Sequence, residues 1–269
     1  MTAVIGAPER NTILDALEAA ERRARLTFRL KVAATWLALI GVILVGLWIT
    51  QNIDTAFIGE WGPFILGGAG LTIVISVVSI TVATILALAA AIARLSGNPY
   101  LSGLASLYVS LARGTPLIVQ LLFVYLALPQ VDIILSAIHA GIIALSFNYG
   151  AYMTEIFRAG IQAVARGQRE AAQSLGMPER LVMRRIVLPQ AIRIVIPAIG
   201  NEFIAMIKDS SLVSILSGEE LLFRSRLVGQ QNFRSLEALL IAATIYWILT
   251  ILFSHFQQRL ERRMARGDR

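Results

Sequence analysis

The sequence predicts an all-α integral membrane protein with about six transmembrane helices, and three observations carry that prediction. The mean hydropathy is +0.70, with 57% hydrophobic and 15% charged residues; a soluble domain of this size needs far more polar surface than that to meet water. The apolar residues gather into runs near the ~20 residues that cross a ~30 Å hydrocarbon core. Of the 24 Lys and Arg residues, all but four fall in segments that six spans would place on one side of the membrane.

Residues 1–31 are polar and end in a basic cluster. The spacing of Ile13, Leu14, Leu17 and Ala20 within 11–29 predicts a cytosolic or membrane-surface helix. Residues 32–50 carry no charge and form the first span, too far from Met1 and too long for a cleaved signal peptide. The segment 51–63 lacks Lys and Arg, and Trp61 suits an interface. The run from Phe64 to Ala93 opens with Gly67, Gly68 and Gly70, so its helical core is expected at 71–93 behind an irregular entrance. Arg94, Gly97, Asn98 and Pro99 then form a turn.

From Tyr100 to Leu128 the apolar stretch is interrupted at Arg113-Gly114-Thr115-Pro116. Proline lacks a backbone donor and restrains the residue before it, so the helix should break there into an interfacial piece and a span. Later spans are expected at 134–157, 190–207 and 236–256, with a polar stretch from Lys208 to Ser235 and a basic tail from 259. The domain reading is a cytoplasmic segment 1–31, a first span with its external loop at 32–64, a transmembrane domain at 65–258 and a cytoplasmic tail at 259–269.

Positive charges set the orientation. The N-terminal segment holds Arg10, Arg22, Arg23, Arg25, Arg29 and Lys31; the 94–115 region holds Arg94 and Arg113. The 158–193 region holds Arg158, Arg166, Arg169, Arg180, Arg184, Arg185 and Arg193, and the tail Arg259, Arg262, Arg263, Arg266 and Arg269. By the positive-inside rule both termini and the 158–193 region are cytoplasmic. The net charge of +7 therefore reads as topogenic rather than nucleic-acid-binding, because the arginines flank spans instead of covering one face. No cysteine and only two histidines, His139 and His255, leave little from which to build a metal site. No GxxxxGK[ST] loop occurs, so ATP chemistry belongs to a partner chain and no cofactor is expected here. No serine, histidine and carboxylate gather at one depth, so an intramembrane hydrolase is unsupported.

The stretch Glu170–Pro189 interrupts the apolar pattern. It predicts two short helices meeting at a corner: one closed by Gly176, and a second begun by Pro178 and Glu179 and stopped by Pro189. Glu170, Ala171, Ala172 and Gly176, then Ile186, Leu188 and Pro189, resemble the EAA loop of ABC-importer permease subunits. Arg113 to Pro129, Tyr152 to Gly160 and Asn201 to Leu212 resemble blocks of the polar amino acid (histidine/glutamine-type) permeases. The resemblance covers roughly residues 65–258. It implies a five-helix permease core preceded here by one extra span, with the EAA segment as a coupling helix that docks into an ATPase subunit. It also implies two ATP-binding subunits, a second permease chain and an external solute-binding protein. The bland alternative for the segment is an amphipathic connector whose arginines meet anionic lipid.

Polar residues inside spans mark a pathway or a structural network, and the sequence leaves both open. Asn148, Tyr152 and Glu155 share one helical face, and so do Asn201 with Lys208 and Glu202 with Asp209. A carboxylate at membrane depth must be paired or wetted: Glu155 either lines a pathway or pairs with Arg158, and Lys208 either lines it or sits at the outer interface. Gln120 either lines the pathway or bridges helices. Acidic and amide groups at these depths suit a zwitterionic or cationic amino acid. A gradient-driven carrier with Glu155 or Asp209 as proton relay is the competing class, and a non-transporting scaffold the third; an ABC permease for another small polar solute is a further alternative.

Overall fold

The computed structural model describes residues 7–51 and 54–265, entirely as helices, turns and short connections. It divides into two units, residues 1–55 and 56–269. Among its described residues the first holds one long helix, α1 (Ala7–Gln51), so the boundary expected at residue 31 falls inside an unbroken helix. The first span expected at 32–50 lies within it.

The second unit begins with α2 (Thr55–Leu66) and, after a turn at Gly67–Gly68, α3 (Ala69–Leu95). That turn is the irregular entrance the glycines predict. A Cβ on Gly68 would lie 2.7 Å from the backbone of Leu221, so only glycine lets the later chain press this close. Asn98 caps α4 (Pro99–Gly114) by accepting from the amides of Tyr100 and Leu101. The helix then breaks at Thr115-Pro116, and α5 (Leu117–Ala127) leaves at 106° to α4.

The centre of the unit is α6 (Ala137–Gln162), capped by Ser136, which packs along α3 and also meets α4, α5 and α9. Its 26 residues reach about 39 Å, long enough to cross a bilayer. Among the described residues, three helical segments are long and apolar enough to cross: Thr55–Leu95, Glu179–Leu216 and Ser235–Met264. The bent pair α4–α5 makes a fourth if taken as one span. The polar side chains of α6 keep it out of that group, and they are tolerable because neighbours satisfy them. Ser146 donates to the Ser79 carbonyl, Asn148 to the Ala112 carbonyl and Thr154 to the Gly150 carbonyl.

After α6 come α7 (Arg166–Ser174), α8 (Glu179–Val182), a five-residue π-helical turn (Met183–Val187) and α9 (Leu188–Asp209). The stretch from Lys208 to Ser235, polar by sequence, is folded: a 3₁₀ segment (Ser210–Leu216) and α10 (Leu221–Gln231) precede the last helix, α11 (Ser235–Ala265). Glu220 explains how such a segment packs. Its fully buried carboxylate caps α10 at the Phe223 amide and accepts from Tyr246 Oη of α11 (2.5 Å) and Thr72 Oγ1 of α3 (3.3 Å), so one residue ties three helices together.

Candidate functional site

Two places in the second unit collect the residues the sequence singles out: a cavity at the α4–α5 break and the knuckle between α6 and α9.

The cavity, about 540 Å³, is lined by Arg113, Gly114, Thr115, Pro116, Leu117, Asn148, Tyr149, Tyr152, Glu202 and Asp209. Its floor is the α4–α5 break. Breaking a helix strands carbonyls, and here two amides recover them: Gln120 Nε2 reaches the Ala112 carbonyl (2.7 Å), the Thr115 carbonyl (3.1 Å) and Thr115 Oγ1 (2.8 Å), while Asn148 Nδ2 reaches Ala112 (3.1 Å). The break is thereby held with its freed carbonyls satisfied. Arg113, at the end of α4, stacks over the Tyr152 ring at 5.2 Å and has no carboxylate partner among the described residues. The start of α5, where a helix carries its positive dipole end, lines the same wall. The two acids of α9 line it as well: Asp209 accepts from Tyr149 Oη at 2.8 Å, and Glu202, half-buried, has no ion-pair partner among the described residues. The cavity is thus lined by both cationic and anionic groups.

Of the pathway residues read from the sequence, Asn148, Tyr152 and Glu202 line this cavity. The other four do not. Glu155 lies one turn beyond Tyr152, its carboxylate shared between Arg94 of α3 and Arg158 of its own helix (2.6 Å). The geometry favours the ion-pair alternative for it and adds Arg94, which sequence spacing could not. Gln120 braces the helix break. Asn201 accepts from Gln257 Nε2 of α11 at 2.9 Å, and the same amide donates to the Pro197 carbonyl at 3.0 Å. Lys208 opens on a separate, mostly apolar cavity with Leu222, Leu239, Ala242 and Tyr246. The two stripes expected on α9 are both real: 202 and 209 face the cavity, 201 and 208 face α11. Tyr149 and Arg113 carry cavity chemistry without being among the expected pathway residues. Tyr149 sits one position off the 148–152–155 stripe, and Arg113 reads in sequence as part of a helix breaker; that an unpaired arginine immediately precedes the break is the signal that marks it.

Because Glu155 holds two arginines, Glu155→Gln is expected to destabilise the purified protein by about 1–3 kcal/mol while leaving substrate affinity unchanged. A melting curve and a binding isotherm separate the two effects. A lost affinity with unchanged melting would return Glu155 to the pathway.

The knuckle forms as expected on its first side and differently on its second. The α7 helix ends in a Schellman turn: Gly176 has φ +78, its amide donates to the Gln173 carbonyl, and the Met177 amide donates to the Ala172 carbonyl. Pro178 is the N-cap of α8 rather than its first helical residue. Pro189 does not stop the second helix; it sits in the first turn of α9, and the helical path runs on from Glu179 to Leu216. The π turn supplies the reason. The Leu188 amide bonds back to the Met183 carbonyl in the wider i→i+5 register, so the register changes just where proline's missing N–H needs it to.

Val164, Ala172, Val182, Val187 and Ala191 form the knuckle's own apolar core, with Ile186 and Met177 against it. Of the seven EAA-pattern residues, Ala172 and Ile186 therefore face inward. Glu170, Ala171, Gly176, Leu188 and Pro189 are exposed, and Leu175 at the tip is 83% exposed. Arg169 fastens α7 to the end of α6 by donating to the Ile161 carbonyl at 2.7 Å. The result is a packed corner with an exposed outer face, joined to the cavity by α6 and α9.

A family model described as "Binding-protein-dependent transport system inner membrane component" matches residues 83–266. The chain is 37% identical over 219 residues to the "Arginine transport system permease protein ArtQ" of Bacillus subtilis, covering 81% of this chain and all of that one. It is 40% identical over 205 residues to the "L-cystine transport system permease protein TcyB" of the same organism, covering 76% of this chain and 88% of the relative. A crystal structure of an amino acid ABC transporter with histidines superposes with a TM-score of 0.76 at 38% identity, over 78% of this chain and 99% of that one. Inward-facing MetNI, the methionine ABC transporter, superposes with a TM-score of 0.65 at 17% identity, which speaks to the fold alone.

Proposed function

The chain belongs to the binding-protein-dependent transport system inner membrane components and is the permease subunit of an ATP-binding-cassette importer; from that premise we propose that its cavity binds a polar amino acid and that its knuckle couples to a separate ATPase. The observation that carries the substrate reading is a cavity lined by groups of both signs. Arg113 and the start of α5 suit a carboxylate, and Glu202 with Asp209 suits an ammonium. Two acids against one arginine leave an excess negative charge, which favours a substrate with a second cationic group. The relatives named for arginine and cystine transport support the class. Gln120, Asn201, Glu155 and Lys208 are assigned positioning roles around the cavity rather than contact with substrate.

For coupling, the support is the exposed face of α7 with Leu175 at its tip, set on a packed core. ATP is hydrolysed on the partner, and the complete importer comprises two such ATPase subunits, a second permease chain and an external binding protein. The termini and the knuckle face the cytoplasm, by the charge asymmetry.

Uptake of radiolabelled amino acids by the reconstituted complex tests the substrate reading. Cationic and neutral polar amino acids are expected to be taken up and dicarboxylate ones to fail, since they would set a second carboxylate against Glu202 and Asp209. Uptake of dicarboxylates alone would reverse the reading. Orientation has its own test: a reporter active only outside the cytoplasm should be silent when fused near Gly176 and active near Ser225, and the opposite pattern would invert the topology.

A further inference from the structure

Residues 21–31 of α1 carry five basic side chains, Arg22, Arg23, Arg25, Arg29 and Lys31, against the single acid Glu21, which pairs with Arg25 at 3.1 Å. Because α1 is one unbroken helix, the direction of each side chain follows from about 100° per residue. With Arg22 at zero, Arg29 and Arg25 lie near ~340° and ~300°, Arg23 near ~100° and Lys31 near ~180°. The charges encircle the helix; they do not form a stripe. Between them stand Leu26, Phe28 and Leu30, each at least 60% exposed. The uncharged run 32–50 follows at once, with Trp36 exposed five residues beyond Lys31.

We propose that this collar binds the anionic headgroups of membrane phospholipids at the mouth of the apolar run. A protein docks on one side of a helix and leaves the far side to water. A headgroup layer instead surrounds a helix that passes through it, and only such a ligand answers charges at every azimuth. The interleaved Leu26, Phe28 and Leu30 point to the same occupant: they would be wasted in water, but at the boundary of the acyl region they are buried while the guanidinium groups beside them reach phosphate. Trp36 sits where an interfacial aromatic belongs. The family model begins at residue 83, so the collar lies outside the residues it matches.

The test is lipid retention by the full chain, purified in detergent doped equally with phosphatidylglycerol and phosphatidylcholine and read by native mass spectrometry. The unaltered protein should retain phosphatidylglycerol preferentially, and raising the salt from about 0.05 to 0.5 M should erase much of the preference. The variant Arg23→Gln/Arg25→Gln/Arg29→Gln/Lys31→Gln should lower it on the order of tenfold or more, each basic residue near an anionic surface contributing about fivefold. Replacing the three arginines by lysine should preserve it. Neutralising Arg259, Arg262 and Arg263 in α11 should leave it largely intact. Preference that survives the quadruple change, ignores salt, or falls equally in the α11 variant overturns the collar. So does a quadruple variant that keeps its lipid but loses a co-purifying protein.

Discussion

Arg113→Gln is expected to cut uptake by about tenfold, because a hydrogen bond to a charged group is worth about 1.5–3 kcal/mol and Arg113, being exposed, falls at the low end of that range. The arginine has no competing carboxylate among the described residues, so it is available to the substrate; its stacking on Tyr152 fixes where the charge sits. The corresponding loss should follow Glu202→Gln. The two roles can be told apart with an amino acid amide, which keeps the ammonium and lacks the carboxylate. The amide should be a poor ligand for the unaltered protein and lose almost nothing more in Arg113→Gln, while remaining sensitive to Glu202→Gln. Arg113→Lys keeps the charge but gives up the planar fork, so an intermediate loss is expected. Basal ATP hydrolysis by the complex serves as the control for assembly. If Arg113→Gln binds and transports a zwitterion normally, Arg113 does not hold the substrate carboxylate and the reading of the cavity as a zwitterion site fails.

How much of this was legible in the sequence depends on how local each signal is. The break at Thr115-Pro116, the glycine entrance at Gly67–Gly68 and the turn at Gly176 rest on backbone chemistry within a few residues, and each appears where the residues put it. Pro189 shows the limit of the same logic. Proline ends a helix only if the register does not change beneath it, and the π turn at Met183–Val187 changes the register. Pairings across distant helices had no local signal at all. Arg94 reaching Glu155, Gln257 reaching Asn201, and Glu220 gathering Thr72 and Tyr246 depend on which helices become neighbours. Periodicity did place Glu202 with Asp209 and Asn201 with Lys208. It could not say that the first pair faces a cavity and the second faces α11, because both stripes look equally polar on a single helix. The knuckle was legible as a corner, and its exposed outer face was not, since burial of Ala172 depends on Val182 and Val187 folding back onto it.

Gly176→Val is expected to leave the protein inserted and assembled yet to reduce uptake tenfold or more while ATP hydrolysis continues. The reason lies in what surrounds the residue. A Cβ at this position would meet nothing within 4 Å, so the substitution creates no clash; its whole cost is the left-handed backbone, φ +78, at about 1–2 kcal/mol and more for a β-branched side chain. The chain can shed that strain only by opening the Schellman turn, which swings the exposed face of α7 relative to α8. From α8 the path continues through the π turn into α9, which carries any displacement about 21 Å to Glu202 and about 32 Å to Asp209 in the cavity. A corner that gives way at Gly176 therefore disconnects motion at the exposed face from motion at the substrate site. Gly176→Asn supplies the comparison, because asparagine tolerates the left-handed region and should retain most of the uptake. Transport by the valine variant at the unaltered rate, or equal losses in both variants, would mean that the knuckle joins α6 to α9 without transmitting force between them.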